Sequence, residues 1–181
     1  LPRGAKLSVD HLEVMTGGGA TNVAVAAKLM GLNTGCVCKV GMDGPGRRVV
    51  EELRGYGVGT DLVLYSQELR TGYSVLITDY SGERTVLVHR GATCELSMDE
   101  LCLDMLAQTQ WLYVGSLRGP AAQVFFDLPA FAAERGIKLA INPGDTQLSL
   151  GMEGLAPVLA HTEIIFVNKE EAYQLTGVQP E

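Results

Sequence analysis

The chain has 181 residues, enough for one domain with a sizeable hydrophobic core, and 46% of them are hydrophobic. It carries 14 Lys and Arg against 21 Asp and Glu, so its formal net charge is −7. An acidic chain without a basic run argues against partners such as nucleic acid or an anionic membrane surface. No apolar run reaches membrane-spanning length, and the start lacks the features of a signal peptide.

The first organised stretch is a glycine turn, residues 17–19, that leads into an apolar helix. Between Asn22 and Gly31 only Lys28 is charged, which predicts a buried helix that Gly31 ends. The first amides of a helix have no partner within it, and glycines allow close approach, so this turn predicts a polar hole for hydroxyls or an anion. It has neither the P-loop nor the G-x-G-x-x-G spacing, and a loop without ligand is the alternative on this stretch alone.

A strand and a helix follow the first helix. Residues 34–40 are predicted to form a strand with Cys36 and Cys38 on one face, and Asp43 is placed to cap a helix that runs to about Arg54. No C-x-x-C pair and no nearby histidine support a metal site at these cysteines. We interpret them as reduced thiols of a cytoplasmic protein. A helix between strands predicts a parallel, helix-covered sheet.

Three short strands come next, at about 60–65, 72–78 and 84–90. The last two are joined through Ser81-Gly82, which is favourable for a tight hairpin turn. We expect a small antiparallel sheet outside the main sheet, and an edge hairpin of a single sheet is the alternative. Exposed sheet edges need protection, and pairing with a second subunit is one solution.

Strands and helices alternate through the second half, which predicts a doubly wound α/β sheet. A capping-box pattern at 97–100 predicts a helix through Leu106. Such sheets bind ligands at the carboxyl ends of their strands. Four residues at predicted strand ends should therefore share one rim: Gly41, Ser116, Asn142 and Asn168. The remaining elements are predicted as strands at 111–114, 137–142 and 163–167 and as helices at 120–134, 154–160 and 169–175.

Several motifs keep the spacing of a known family. Gly17-Gly18, Asn22, Ala24, Gly31 and Gly41 resemble the N-terminal signature of the ribokinase, or PfkB, family of carbohydrate kinases. Further segments are similar to its V-G-x-D-x-x-G motif, its lid hairpin and return, and its N-x-x-E motif: Val40–Gly46, Thr71-Gly72 with 82–85 and 90–92, and Asn168–Glu171, followed by Leu175-Thr176-Gly177.

The resemblance implies a ribokinase-like three-layer α/β sandwich with a mostly parallel central sheet and a small antiparallel β lid, here truncated. Residues 1–181 would be a partial kinase domain, the substrate-binding half. The family's G-A-G-D segment with the catalytic base Asp, and its nucleotide-binding part, are expected beyond Glu181. No residue of this chain is therefore assigned as the base, and the chain alone is expected to be inactive.

The resemblance also implies site residues. Gly17, Gly18 and Asn22 would contact the sugar, Asn168 would lie near the ATP phosphates, and Glu171 near Mg²⁺ through water. From the residues alone, Asn22 is equally a helix cap, and Asn168 with Glu171 is a capping pair at a helix start.

The predicted function is ATP- and Mg²⁺-dependent phosphorylation of a sugar hydroxyl by the intact protein, with a possible homodimer through the lid. Gly19 stands where a ribokinase proper has Lys, so fructose, a keto-deoxy sugar acid or a nucleoside are alternatives to ribose. A non-catalytic sugar-binding or dimerising module with the same fold is a second hypothesis. An NAD-type dehydrogenase domain is a third, and the missing G-x-G-x-x-G argues against it.

Overall fold

The computed structural model describes residues 4, 6, 8–78 and 83–179, and helical segments and strands alternate through its second half as predicted. The helices are α1 (Gly19–Leu29), α2 (Gly44–Gly55), α3 (Leu103–Leu106), α4 (Ala122–Glu134), α5 (Asp145–Leu148), α6 (Gly151–Leu159) and α7 (Lys169–Thr176). The strands are β1 (Cys38–Gly41), β2 (Val63–Ser66), β3 (Tyr73–Thr78), β4 (Arg84–His89), β5 (Trp111–Val114), β6 (Lys138–Ile141) and β7 (Ile164–Ile165).

The parallel strands form two groups that share a hydrophobic core. Strands β5, β6 and β7 are parallel and hydrogen-bonded in that order, and β1 pairs with β2 in parallel. Leu139 and Ile141 of β6 are fully buried together with Phe125 of α4 and Leu155 of α6, and Leu64 of β2 packs against the same cluster. Each such side chain stabilises the fold by about 1.5–3 kcal/mol.

The segment predicted as the first lid strand belongs to the parallel part of the fold. Strand β2 pairs with β1 from Cys38 opposite Val63 onward, so its assignment to a three-stranded antiparallel sheet is wrong. The physical reason is burial, because Val63 packs with the buried side chains of Val40 and Val50. A strand with a buried apolar face packs in the helix-covered parallel sheet and not in an exposed hairpin.

The antiparallel sheet, within the described residues, is a hairpin of β3 and β4 only. Its register runs from Tyr73 opposite His89 to the end of β3. Both strands lie within a residue of their predicted bounds. The tight turn predicted at 81–82 falls in residues 79–82, outside the described residues.

Helix α1 is only half-buried, so the prediction of a buried helix is wrong for this chain. Thr21 and Ala24 are buried, and Ala24 packs against Cys36, but Leu29 is 70% exposed. An apolar composition leads to burial only on the sides where neighbours exist, and α1 has packing neighbours on one side. The predicted stop is confirmed, since Gly31 follows the helix with φ +93°.

The helix predicted from Ser97 to Leu106 is broken into two pieces. The capping box is present, with the Ser97 amide donating to Glu100 Oε2 at 3.1 Å, but it opens only a short 3-10 turn. Leu101 is then extended before α3 begins. On one straight helix Leu101 and Leu106 would point about 140° apart. The break allows both side chains to reach the same core.

The remaining second-half elements follow the prediction to within a few residues, apart from α5, which the sequence did not suggest. A proline inside a helix usually kinks or interrupts it. Helix α4 runs through Pro129 without interruption, and the proline is fully buried.

The strand predicted at 34–40 begins only at Cys38, and Cys36 is buried just before it. The two thiols are hydrogen-bonded, which lowers the pKa of Cys36 and raises that of Cys38. Within the described residues no cluster of three or more His, Cys, Asp or Glu side chains is arranged to hold a metal. No helix in this part of the chain is long and apolar enough to cross a membrane.

Candidate functional site

The glycine turn forms an open amino end of α1. Gly18 is the N-cap, with φ +118°, and no side chain caps the helix. The Thr21 hydroxyl donates to the carbonyls of Gly17 at 2.9 Å and Gly18 at 3.0 Å, which fixes the shape of the turn. The backbone amide of Asn22 donates to the Gly18 carbonyl at 2.9 Å and closes the first helical turn. The backbone amides of residues 19–21 have no hydrogen-bond partner within the described residues, as is usual for the first turn of a helix.

The side chain of Asn22 is not a helix cap. It lies one residue beyond Thr21, is exposed, and makes no hydrogen bond within the described part of the chain. The capping interpretation of Asn22 is therefore wrong, and Thr21 organises the turn instead. An exposed carboxamide beside unpaired amides is free to donate to and accept from a hydroxyl.

The start of α1 packs against the carboxyl end of β5. A Cβ atom built on Gly19 would lie 3.8 Å from the Tyr113 hydroxyl oxygen, and one built on Gly115 would lie 3.8 Å from the Ala20 nitrogen. The glycine turn therefore lies at the edge where α/β sheets bind their ligands. Tyr113, which the sequence patterns did not single out, is a further residue at this position, and burial raises its pKa.

Three of the four residues predicted to share a rim follow neighbouring parallel strands. Ser116 comes after β5, Asn142 after β6 and Asn168 after β7, and the parallel register puts them at one edge of this sheet. Asn142 connects two of these loops, because its side-chain amide donates to the Phe166 carbonyl at 2.7 Å. We call this carboxyl-end edge the rim.

A buried glutamine holds two loops of the rim together. Gln147 is 1% exposed, donates to the Leu117 carbonyl at 2.5 Å and accepts from the Gly144 amide at 3.1 Å. A Cβ on Gly144 would lie 2.1 Å from Ser116 Oγ, so only glycine permits this approach. Such tight contacts give the rim a fixed shape.

Asn168 and Glu171 form a reciprocal capping box at the start of α7. The backbone amide of Asn168 donates to Glu171 Oε2 at 2.9 Å, and the backbone amide of Glu171 donates to Asn168 Oδ1 at 2.8 Å. This confirms the capping interpretation of the pair, and their roles toward ATP and Mg²⁺ stay predictions. The arrangement fits a water-mediated Mg²⁺ contact, because Glu171 Oε1 has no hydrogen-bond partner within the described residues. Mg²⁺ usually keeps several of its waters.

A cavity of about 260 Å³ lies beside α7. None of its lining residues belongs to the glycine turn. This cavity therefore does not join the two predicted sites in one enclosed pocket. It is lined by Lys169, Glu170, Tyr173 and Gln179.

Asp43 does more than the predicted capping of α2. Its carboxylate accepts from the Gly46 amide at 2.9 Å, as expected for a cap, and also from the amide of Thr71 at 2.9 Å and its hydroxyl at 2.6 Å. The Thr71 hydroxyl holds the pKa of Asp43 below its usual value. The Gly41 amide donates to Thr71 Oγ1 at 2.9 Å. The fourth predicted rim residue is thus tied to the start of the hairpin.

A family model described as pfkB family carbohydrate kinase matches residues 3–181, nearly the whole chain. The chain belongs to this family. It is 25% identical to the ribokinase of Staphylococcus aureus over 181 residues, which is 97% of this chain and 57% of that protein. It is 26% identical to probable fructokinase-4 of Arabidopsis thaliana over 172 residues, which is 89% of this chain and 52% of that protein.

The PfkB chain thus spans about half the length of these relatives. Its fold matches the structure of Arabidopsis thaliana ribokinase complexed with ribose and ATP, with a TM-score of 0.82 at 23% identity. That match covers 99% of this chain and 57% of the ribokinase chain. The predicted ribokinase-like fold is therefore confirmed.

Proposed function

We propose that this PfkB chain supplies the substrate-binding half of a kinase that transfers a phosphoryl group from ATP to a sugar hydroxyl. The observation that carries the proposal is the packing of the glycine turn against the carboxyl end of β5. The names ribokinase and fructokinase of its relatives support a sugar as the acceptor. Because those relatives are about twice as long, the complete reaction belongs to the intact protein.

The sugar is held at the open end of α1. The carbonyls of Gly17 and Gly18 already accept from the Thr21 hydroxyl. The backbone amides of the turn, which no side chain caps, are the groups left to donate to the sugar. Asn22 donates to one sugar hydroxyl and accepts from another. Holding the acceptor in one orientation removes much of the entropic cost of phosphoryl transfer.

Asn168 and Glu171, at the start of α7, are the residues of this chain that would hold the nucleotide and its Mg²⁺. ATP with Mg²⁺ supplies the transferring group and offsets its charge when bound. The side-chain nitrogen of Asn168 is left to donate to a phosphate oxygen, since its oxygen is occupied by Glu171. Glu171 Oε1 is left to accept from a Mg²⁺-bound water.

The hairpin of β3 and β4 is the lid of this site and excludes water from the reacting atoms. Its second face pairs with a second copy of the chain. All residues of both strands are exposed, so both faces are available. The protein acts in the cytoplasm, a reducing compartment in which its four free cysteine thiols stay reduced.

A substrate panel tests the proposal. The intact natural protein that contains this chain is offered ATP, Mg²⁺ and in turn ribose, fructose, a keto-deoxy sugar acid and a nucleoside, and ADP formation is measured. We expect turnover with at least one sugar. Turnover with the nucleoside alone would move the proposal to a nucleoside kinase. Calorimetric binding of a sugar without ADP formation would favour the non-catalytic module, and neither binding nor turnover would refute the proposal.

A further inference from the structure

The side chains of β3 and β4 do little to fix the orientation of the hairpin relative to the rest of the chain. Every residue of β3 and β4 is exposed, and within the described residues these strands form a separate two-stranded sheet. Its direction relative to the rest of the chain is therefore set where its two ends enter the fold. We call residues 70–72 and 90–92 the hairpin base.

The two ends cross in the hairpin base with their backbones in contact. The Ala92 amide donates to the Arg70 carbonyl at 2.8 Å. A Cβ on Gly91 would lie 2.1 Å from the Arg70 oxygen, and one on Gly72 would lie 2.6 Å from the Arg90 oxygen. Larger residues at these glycines would force the crossing apart. The crossing is thus a fixed point from which both strands leave.

A polar cluster ties this fixed point to the parallel strands. Asp43 accepts both the amide and the hydroxyl of Thr71, and Thr71 accepts the amide of Gly41 at the end of β1. Thr71 is 5% exposed, so these bonds are shielded from water. A Cβ on Gly46 would lie 2.8 Å from Thr71 Oγ1, which shows how closely the start of α2 approaches.

We propose that Asp43 and Thr71 are positioning residues that fix the direction of the hairpin and thereby the sugar affinity of the site it covers. A six-residue strand is roughly 20 Å long, so a 10° rotation at the base moves the tip by about 3–4 Å. A displacement of that size exceeds the length of a hydrogen bond, so it would break the contact of a lid with a ligand beneath it. The effect on affinity rests on the proposed function, whereas the effect on the hairpin base does not.

Hydrogen–deuterium exchange on the intact protein tests the anchor without any sugar. Thr71→Val removes the hydroxyl and keeps the shape of the side chain, and it should speed exchange at the hairpin base by at least about tenfold. Thr71→Ser, which keeps the hydroxyl, should exchange like the wild type. Thr146→Val is the matched control, because it removes an exposed hydroxyl on α5. Exchange in β6 reports global stability.

Unchanged exchange at the hairpin base in Thr71→Val would overturn the proposal. An equal rise in β6 and the base would also overturn it, because that pattern means general destabilisation. If Thr71→Val does not fold, Asp43→Asn serves instead, since the amide keeps the size of the carboxylate and loses one acceptor. It is judged by the same two regions.

Kinetics of the intact protein test the effect on affinity. In Thr71→Val the KM for the sugar should rise about tenfold while kcat stays within about twofold, as expected when uniform binding is lost. The KM for ATP should not change, and Thr71→Ser should restore the sugar KM. A fall in kcat with an unchanged sugar KM would overturn the affinity role. If no sugar is phosphorylated at all, the proposed function fails, and the exchange result still decides the anchor.

Discussion

Thr21 and Asn22 are neighbours at the start of α1 with opposite surroundings. Thr21 is 7% exposed and uses its hydroxyl to shape the glycine turn, whereas the Asn22 side chain is exposed and has no hydrogen-bond partner within the described residues. A residue that stabilised the helix would be expected to cap it. The side chain of Asn22 thus contributes little to the fold, which is the expected property of a ligand contact.

Replacement of Asn22 by Ala should therefore affect binding and not stability. We expect Asn22→Ala to weaken sugar binding by the intact protein about tenfold, because one or two hydrogen bonds worth roughly 0.5–1.5 kcal/mol each are lost. Isothermal titration with the sugar found active in the panel measures this, and thermal unfolding should be unchanged. Asn33→Ala is the matched control, since Asn33 is exposed just beyond the other end of α1. Equal losses in both variants would contradict a specific contact.

Prediction at this scale succeeded where the information was local. The capping box of Asn168 and Glu171 follows from two residues three positions apart, and the structure has it. The bond between Asp43 and Thr71 spans 28 residues of sequence, and no periodicity could indicate it. Both residues lie in motifs that were identified, but their contact depends on how the chain folds back.

Strand β1 and the 3-10 turn that follows Ser97 are joined by an ion pair. Lys39 Nζ lies 2.5 Å from Glu100 Oε1 and donates to the Glu95 carbonyl at 3.0 Å, and the lysine side chain is only 11% exposed. The hydrogen bond from Lys39 lowers the pKa of Glu100. A carboxyl whose pKa is lowered by folding stabilises the protein above its unfolded pKa, and this stabilisation is lost as the pH falls through the folded pKa.

Glu100→Gln should consequently lower the melting temperature at pH 7 and have little effect in acid. We expect a decrease of about 2–4 °C at pH 7, the amount that corresponds to roughly 1 kcal/mol in a chain of this size. The difference from the wild type should shrink once the pH falls below the ordinary value near 4.5 and vanish below the folded pKa. Calorimetry from pH 7 to pH 3 measures it. Glu51→Gln, at an exposed position of α2, is the control, and a constant difference at all pH values would disprove the ion-pair explanation.

Elements were predictable when their ends carried a signal. Helix α2 has its capping Asp43 and ends at Gly55, both as expected from the sequence. Strand β2 was located to within a few residues, but its partner was misassigned, because a short apolar strand contains no information about which strand it will pair with. The break at Leu101 was missed for a similar reason, since it serves a core assembled from distant residues.

Both faces of the hairpin carry apolar side chains, a property of the molecule as a whole. In the observed register Val75 and Leu87 lie opposite each other on one face, and Leu76 and Val86 on the other. Each of these side chains is at least 41% exposed. Exposed apolar strands of this kind are covered in stable proteins, either by a ligand site or by a partner.

We expect the intact protein to form a dimer that depends on one face of the hairpin. Val75→Glu and Leu76→Glu place a charge on opposite faces, and only one of them should give a monomer in analytical ultracentrifugation. The other should leave the dimer and weaken sugar binding. Leu32→Glu, at an exposed apolar position outside the hairpin, should change neither. A wild type that is monomeric at all concentrations would contradict this expectation.

At the scale of the chain, family and fold class were predictable because the motifs are spread from residue 17 to residue 177. The half-exposure of α1 was not predictable. The composition of a helix shows how much apolar surface it offers, but it does not show on how many sides another element will pack. That depends on the whole assembled structure.

The backbone crossing at Gly72 and Gly91 has a consequence for how such a protein diversifies. The described part of the stretch between them leaves and re-enters the fold at one point and pairs only with itself. Its length and sequence can therefore change as a unit. The parallel strands would keep the residues that determine their own pairing and packing. Evolution or a protein engineer can thus exchange this hairpin without redesigning the rest of the fold.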